Sequence, residues 1–291
     1  MQEKKINTLL EILSYSTDLL KNKGIQDARL NIELMLCDVL NCERIKLYLD
    51  YDKPLKQTEI DKYKSYLKRR LNKEPLQYIL GKTNFYGYDI YIDKSVLIPR
   101  QDTEVLVEKT LEDIEKSGLD FINILEIGTG SGCISIALSE ELSKKNIKHK
   151  IEAIDISENA LRLAKKNLEF HNISGKLELK CEDFFKKENL NDSINYIISN
   201  PPYISNDEML KLDDEIREFE PVIALTDFGD GFKFYEKLFK LISGANENIR
   251  VFLEIGYIHS AKLDSMLKKY GINKFEFYKD YNNINRVLKI N

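Results

Sequence analysis

The stretch Phe121-Ile-Asn-Ile-Leu-Glu-Ile-Gly128-Thr-Gly-Ser-Gly132 decides the fold class of this chain. Its first seven residues are mostly apolar and predict a buried strand, and a helical pattern from Cys133 to Leu142 follows the glycines. Glycines in such a turn let the backbone approach a ligand closely, and the start of the next helix favours negative charge. The spacing is G-x-G-x-G, which differs from the G-x-G-x-x-G of dinucleotide enzymes. The stretch therefore predicts an α/β sheet with a nucleotide-like ligand at this turn.

Three further strands are predicted downstream, and each leads to a polar side chain. Ile151 to Asp155 ends in an acid, Leu177 to Phe184 carries Asp183 near its end, and Tyr196 to Ile198 leads to Asn200. Ligands of open α/β sheets bind outside the carboxyl ends of the strands. We therefore expect these three polar residues to surround one site, with the acid of the second strand accepting the hydroxyls of a ribose.

The tetrapeptide Asn200-Pro201-Pro202-Tyr203 follows the fourth predicted strand. Two prolines fix φ and supply no N–H, so the carbonyls of Asn200 and Pro201 are free to accept hydrogen bonds from a ligand. An Asn side-chain oxygen and a fixed carbonyl suit the two hydrogens of a planar NH2 group, on which Tyr203 can pack. A rigid turn in which Tyr203 merely packs is the alternative interpretation.

Length and composition define the class of protein. A chain of 291 residues is long enough for two hydrophobic cores, and 43% hydrophobic with 32% charged residues is ordinary for a globular protein. A net charge of -4 argues against a protein that binds nucleic acid along one whole face. The four cysteines show no Cys-x-x-Cys pairing, so neither a zinc site nor a disulfide framework is indicated. No apolar stretch approaches the roughly 18 residues that span a bilayer, and we expect a cytoplasmic protein.

The chain is predicted to divide into three parts. Residues 1–72 show helical spacing and predict a bundle of about four short helices, whereas residues 73–100 predict a linker and a β-hairpin with its turn at Asp93-Lys94. Residues 101–291 complete a sheet of seven strands with an antiparallel final pair. Within them, the charged segment Ser205 to Glu218 is interpreted as a solvated connection.

A dense basic cluster, Lys68-Arg69-Arg70 with Lys73, ends the helical part. A solvated helix end favoured by the helix dipole is the ordinary interpretation of such a run. A patch that binds RNA or an acidic protein surface is the alternative.

Four motifs together resemble one enzyme family. They are Gln77-Tyr78-Ile-Leu-Gly81, Phe85-Tyr-Gly87, Ile98-Pro-Arg100-Gln-Asp102-Thr-Glu104 and Asn200-Pro-Pro-Tyr203. In combination they are similar to the HemK or PrmC family, the protein-(glutamine-N5) methyltransferases that act on peptide chain release factors. The resemblance covers essentially the whole chain. Gln101 stands where the family usually has a second proline.

The resemblance implies a class I S-adenosylmethionine-dependent methyltransferase, with a seven-stranded Rossmann-like sheet, a small all-α N-terminal domain that recognises the substrate, and a linking β-hairpin. It implies methyl transfer from S-adenosylmethionine to the side-chain amide nitrogen of a glutamine in a release factor, without a metal. We expect a monomer that forms no stable complex with nucleic acid.

The resemblance also assigns the site residues. The predicted catalytic residues, which also bind the substrate together with Arg100, are Asn200, Pro201, Pro202 and Tyr203. The predicted cofactor-binding residues are Glu126, Gly128, Thr129, Gly130, Gly132, Asp155, Ile156, Asp183, Phe184 and Asn200. For Arg100 by itself, a surface ion pair is the alternative interpretation.

Two other functions are compatible with parts of this pattern. An adenine-N6 methyltransferase acting on DNA or RNA also uses an Asn-Pro-Pro-Tyr sequence to hold a planar NH2 group. Such an enzyme captures an extruded base, however, and usually carries a basic channel. The acidic balance of this chain does not favour it. A non-catalytic binding module on a cofactor fold is the second alternative, and failure to bind S-adenosylmethionine would favour that interpretation.

Overall fold

The computed structural model describes residues 8–173, 175–244 and 249–291. By its packing the chain divides into two units. The helical unit comprises Met1–Gly81 and Asp214–Phe219, and the sheet unit comprises Lys82–Asp213 and Glu220–Asn291. The packing therefore places the first division after Gly81, where the sequence predicted it after residue 72, and adds a short later segment to the helical unit.

The helical unit is built on amphipathic helices. Thr8 and Glu11 form a capping box that starts the first helix, and Leu20, Ile32 and Leu36 are fully buried in the core. The predicted linker from Pro75 to Gly81 instead contains a helix, because proline suits its first turn and a glycine at φ 73° ends it. The first helices are α1 (Leu9–Asn22), α2 (Ala28–Leu40), α3 (Arg44–Leu49), α4 (Gln57–Leu71) and α5 (Leu76–Leu80).

The sheet unit begins with a hairpin whose turn differs from the predicted one. Strand β1 (Lys82–Phe85) pairs antiparallel with β2 (Tyr88–Tyr91), and the turn lies at Tyr86 and Gly87. Both turn residues have positive φ, 53° and 83°, as a tight two-residue hairpin turn requires. Asp93 lies beyond the hairpin, where its Oδ1 accepts a hydrogen bond from the backbone N–H of Ser95.

The seven-stranded sheet confirms the predicted fold class. Its strand order is β5-β4-β3-β6-β7-β9-β8, with parallel pairing from β5 to β7 and antiparallel pairing of β9 with β7 and β8. The central strands are almost wholly buried, as strands covered on both faces are. The strands are β3 (Ile122–Ile127), β4 (His149–Asp155), β5 (Leu177–Cys181), β6 (Tyr196–Ser199), β7 (Arg250–Glu254), β8 (Phe275–Lys279) and β9 (Asn285–Ile290).

Helices connect these strands. Ser157 caps one of them, since its side chain accepts a hydrogen bond from the N–H of Ala160. No helix in the described ranges has the length and apolarity needed to cross a membrane. The helices are α6 (Asp102–Ser117), α7 (Cys133–Lys144), α8 (Glu158–Phe170), α9 (Asn206–Met209), α10 (Asp214–Phe219, in the helical unit), α11 (Val222–Leu225), α12 (Lys233–Ile242) and α13 (Ser260–Lys269).

The charged segment after the Asn-Pro-Pro-Tyr sequence is more than a solvated connection. Part of it forms α10, and two of its acids bind the basic cluster within the helical unit. Arg70 Nη2 lies 2.7 Å from Glu215 Oε1, and Lys73 Nζ lies 2.5 Å from Asp214 Oδ2. The Arg70 side chain is only 6% exposed, so this part of the cluster is built into the fold and is not a solvated helix end.

We expect the change Arg70→Met to lower the free energy of unfolding by about 3 kcal/mol. Arg70 is the buried member of its ion pair, and removing it leaves the groups that it binds without their partner. Arg70 also donates to Asn31 Oδ1 and to the carbonyl of Glu74. The control Glu215→Gln should cost at most about 1 kcal/mol, since that side chain is 34% exposed. Urea denaturation measures both values, and equal costs for the two variants would contradict this role of Arg70.

Candidate active site

A cavity of about 350 Å³ lies where β3, β4, β5 and β6 end. Residues that follow each of these four strands line it, as the position of ligands in open α/β sheets predicts. Its volume is in the range of small-molecule sites. The predicted site residues that line it are Arg100, Gly128, Thr129, Gly130, Asp155, Ile156, Asp183, Phe184, Asn200 and Pro202.

The glycine-rich turn forms one wall of the cavity. Gly130 has φ 53°, and a Cβ at that position would meet no atom within 4 Å, so the open side of the backbone is available to a ligand. The N–H of Gly130 donates to Asp155 Oδ2 at 2.8 Å, which ties the turn to the end of β4. Gly132 lies at the start of α7, where a Cβ would be 3.5 Å from that of Ala164.

Glu126 supports this turn from behind. Its Oε2 accepts hydrogen bonds from the hydroxyls of Thr129 (2.9 Å) and Ser135. Its Oε1 is buried and has no hydrogen-bond partner in the described part of the chain. Burial raises the pKa of the Glu126 carboxyl to about 7, and the neighbouring charge of Asp155 acts in the same direction. Glu126 is buried and is not among the residues that line the cavity, so it acts on the site through Thr129, which does line it.

The change Glu126→Gln should alter how stability depends on pH. The unfolded carboxyl titrates near 4.5, whereas the folded one holds its proton up to a pKa of about 7. The stabilisation by this proton is fully present below pH 4.5 and is lost as the pH rises through 7. Between these limits the free energy of unfolding of the wild type should fall by about 3 kcal/mol relative to Glu126→Gln. Denaturation curves at several pH values measure this, and a difference that does not vary with pH would contradict it.

The ends of β4 and β5 supply acids beside apolar surface. Asp155 Oδ1 accepts from the N–H of Ser157 at 2.9 Å, and burial raises the pKa of the Asp155 carboxyl. Asp183 Oδ1 accepts from the N–H of Phe185 at 3.0 Å. Ile156 and Phe184 add apolar walls to the cavity. An acid for ribose hydroxyls, apolar faces for a purine and an open glycine turn together fit S-adenosylmethionine.

Of the Asn-Pro-Pro-Tyr sequence at the end of β6, Asn200 and Pro202 line the cavity, whereas Pro201 and Tyr203 do not. Asn200 Nδ2 donates to Thr103 Oγ1 at 3.1 Å, and Tyr203 Oη donates to Glu254 Oε1 at 3.0 Å. Within residues 8–173, 175–244 and 249–291, no hydrogen bond is directed to Asn200 Oδ1 or to the carbonyl of Pro201. Asn200 lines the cavity, so its Oδ1 can accept a hydrogen bond from a ligand there, whereas Pro201 is buried and is not among the lining residues. Tyr203 is turned toward Glu254, and its ring meets that of His259 edge-on at 5.9 Å.

Arg100 forms an ion pair at the edge of the cavity. Its Nη2 lies 2.5 Å from Glu220 Oε1, and Glu220 Oε2 accepts a hydrogen bond from the N–H of Ile98. The Glu220 side chain is only 1% exposed, whereas that of Arg100 is 37% exposed. The ion pair considered as the alternative for Arg100 is thus present, and the residue also lines the cavity.

Three residues around this site were missed from the sequence. Two of them are Thr103 and Glu254, whose side chains are joined by a hydrogen bond from Thr103 Oγ1 to Glu254 Oε2 at 2.5 Å. Gly231 has φ 83°, and a Cβ there would lie 2.3 Å from the carbonyl oxygen of Tyr203. The Gly-Asp-Gly sequence at 229–231 is a signal of such a close backbone approach.

Comparison with known proteins places the chain in a family. A family model described as PrmC N-terminal domain matches residues 11–81, and one described as Methyltransferase small domain matches residues 101–216. The release factor glutamine methyltransferase of Geobacter sulfurreducens is 35% identical, over 99% of this chain and 98% of its own. The chain belongs to the release factor glutamine methyltransferase family. The enzyme of that name from Chlorobaculum tepidum is also 35% identical, over 82% of this chain and 81% of its own.

Membership of this family confirms the predicted enzyme class, a methyltransferase that uses S-adenosylmethionine. Among solved structures, the catalytic domain of human METTL16 in complex with a MAT2A 3′UTR hairpin has a TM-score of 0.56. That structure is 17% identical and covers 81% of this chain and 80% of its own, which supports the methyltransferase fold alone.

Proposed function

We propose that this chain methylates the side-chain amide nitrogen of a glutamine in a peptide chain release factor, with Asn200 and Pro201 holding the amide. The names of its relatives support the substrate class. The observation that carries the site assignment is the pair of unpartnered acceptors, Asn200 Oδ1 and the Pro201 carbonyl, at the end of β6. A planar NH2 group is the ligand group that two such oxygens recognise.

The wall opposite these acceptors would hold S-adenosylmethionine. Gly128 to Gly130 would lie along its methionine part, Asp155 would accept from its ribose, and Asp183 and Phe184 would contact its adenine. Glu126 would support the turn that holds the cofactor, through its hydrogen bonds with the hydroxyls of Thr129 and Ser135. When bound, the cofactor supplies a methyl group on a positively charged sulfur.

The residues of the chain prepare the amide nitrogen for this methyl group. An amide nitrogen is a poor nucleophile because its lone pair is delocalised into the carbonyl. Hydrogen bonds from its two N–H groups to Asn200 Oδ1 and the Pro201 carbonyl polarise it and aim the lone pair. The nitrogen would form its bond to the methyl group as the bond from that methyl to sulfur breaks, with the electron pair of the broken bond staying on the sulfur of S-adenosylhomocysteine. The nitrogen, then cationic and acidic, would lose a proton to water. Alignment of this kind can lower the activation free energy of methyl transfer by roughly 7 to 11 kcal/mol.

The activity is tested by incubating the protein with purified release factors and labelled S-adenosylmethionine, and then locating the label by mass spectrometry. We expect one methyl group on a glutamine side chain, and no label in a release factor with that glutamine changed to alanine. DNA and RNA oligonucleotides serve as competing substrates. A methyl group found on adenine, with the release factors unlabelled, would contradict the proposal and favour the adenine-N6 alternative.

We also infer that the protein acts in the cytoplasm as a monomer without stable nucleic-acid binding. The thiols of Cys37, Cys42, Cys133 and Cys181 are free, which suits a reducing compartment. A net charge of -4 does not favour a nucleic-acid partner. Light scattering coupled to size exclusion tests the monomer, and a stable dimer would contradict it.

A further inference from the structure

We infer that Thr103 and Glu254 are positioning residues that orient the side-chain amide of Asn200 toward the substrate. The inference rests on the proposed function, because it assigns Asn200 Oδ1 to the glutamine amide. Neither residue carries the reaction itself, and each acts through Asn200.

The three side chains form one hydrogen-bonded chain across the sheet unit. Asn200 Nδ2 donates to Thr103 Oγ1 at 3.1 Å, and Thr103 Oγ1 donates to Glu254 Oε2 at 2.5 Å. Asn200 follows β6, Glu254 ends the neighbouring strand β7, and Thr103 lies in the first turn of α6. Thr103 is 2% exposed and Glu254 is 1% exposed, so water does not compete for these bonds.

The direction of these bonds decides which end of the amide meets the substrate. The single hydroxyl hydrogen of Thr103 is donated to Glu254, so it is not available to Asn200. The Thr103 oxygen can then only accept, and the Asn200 NH2 is the group that must face it. The amide oxygen and NH2 are nearly the same in shape, so packing alone does not distinguish the two orientations. Rotated by half a turn, Asn200 would present hydrogens to the NH2 of the substrate and would repel it.

Glu254 is itself held in place from two further sides. Its Oε1 accepts from the Tyr203 hydroxyl at 3.0 Å, and its backbone carbonyl accepts from the Tyr235 hydroxyl at 2.8 Å. Burial raises the pKa of the Glu254 carboxyl, while the hydrogen bonds from Thr103 and Tyr203 and the charge of Arg286 oppose that shift. One carboxylate therefore fixes both Asn200 and Tyr203, at the two ends of the Asn-Pro-Pro-Tyr sequence.

The test compares three variants of the full chain. Thr103→Val has nearly the same shape but no hydroxyl, and kcat for release factor methylation should fall roughly 10- to 100-fold, as misorientation of a site does. Thr103→Ser keeps the hydroxyl and should recover most of that loss. The matched control is Thr110→Val, a buried threonine of the same helix whose hydroxyl donates to the Leu106 carbonyl. It should leave kcat unchanged.

Two readouts are independent of turnover. The affinity for S-adenosylmethionine, measured by calorimetry, should be the same in the Thr103 variants as in the wild type, which also shows that they are folded. The Asn200 side-chain NH2 signals in a nitrogen-15 NMR spectrum should shift in Thr103→Val and not in Thr110→Val.

The outcomes separate this inference from the proposed function. If Thr103→Val turns over like Thr110→Val, or Thr103→Ser is as impaired as Thr103→Val, the positioning role is wrong although the wild type methylates release factors. If the wild type leaves release factors unlabelled, the proposed function fails, and the NMR comparison still decides whether Thr103 orients Asn200. Unchanged Asn200 signals in Thr103→Val would overturn the inference.

Discussion

Replacing Asn200 with alanine lowers turnover roughly 100- to 1000-fold, the loss expected when one preorganised polar group is removed from an active site. The variant loses the side-chain oxygen that holds one N–H of the substrate amide, and the carbonyl of Pro201 alone does not aim the nitrogen. The affinity for S-adenosylmethionine should stay close to that of the wild type, because the glycine-rich turn and Asp155 are intact. Single-turnover assays with labelled cofactor measure the first quantity, and calorimetry measures the second.

Asn273→Ala is the control for that variant, because Asn273 is exposed and its side chain only donates to the nearby carbonyl of Gly271. It should keep wild-type turnover. Near-normal turnover of Asn200→Ala would remove Asn200 from the site. A loss of cofactor binding as large as the loss of turnover would show that Asn200 serves the cofactor and not the substrate.

Replacing Asp155 with alanine weakens the binding of S-adenosylmethionine by at least roughly 100-fold, since two hydrogen bonds to a charged group are lost at about 1.5 to 3 kcal/mol each. The same change removes the acceptor of the Gly130 and Ser157 N–H groups, so the turn also loses its anchor on β4. Calorimetric titration measures the affinity.

The control for this variant is Asp120→Ala, an exposed acid just before β3. It should bind the cofactor as the wild type does. Wild-type affinity in Asp155→Ala would contradict the assignment of Asp155 to the ribose, and equal losses in the two variants would point to a general effect of negative charge.

The sheet was predictable because its signals are local. The apolar run at 122–127 is itself the strand that it predicts, and the structure matches it closely. Turns depend on finer geometry. The hairpin was expected to turn at Asp93-Lys94, but Tyr86 and Gly87 take the positive φ that a two-residue turn needs, and glycine at the second position was the local signal.

The parts of the site that were missed depend on contacts between distant residues. Thr103 and Glu254 are 151 positions apart, so their hydrogen bond exists only once α6 packs beside β7. Likewise, the acids of α10 were interpreted as solvated because a partner so distant in sequence gives no local signal. Arg70, which binds Glu215, lies 145 positions away from it. Residue type and spacing identified the groups that face the cavity, and only the folded structure identified the groups that orient them.

A crystal structure with S-adenosylhomocysteine and a glutamine-containing release factor peptide tests the central claim most directly. We predict that the glutamine amide nitrogen lies about 2.9 Å from both Asn200 Oδ1 and the Pro201 carbonyl oxygen, facing the sulfur of the bound cofactor product. Asn200 turned away from the sulfur, with no room for an amide beside it, would contradict the account.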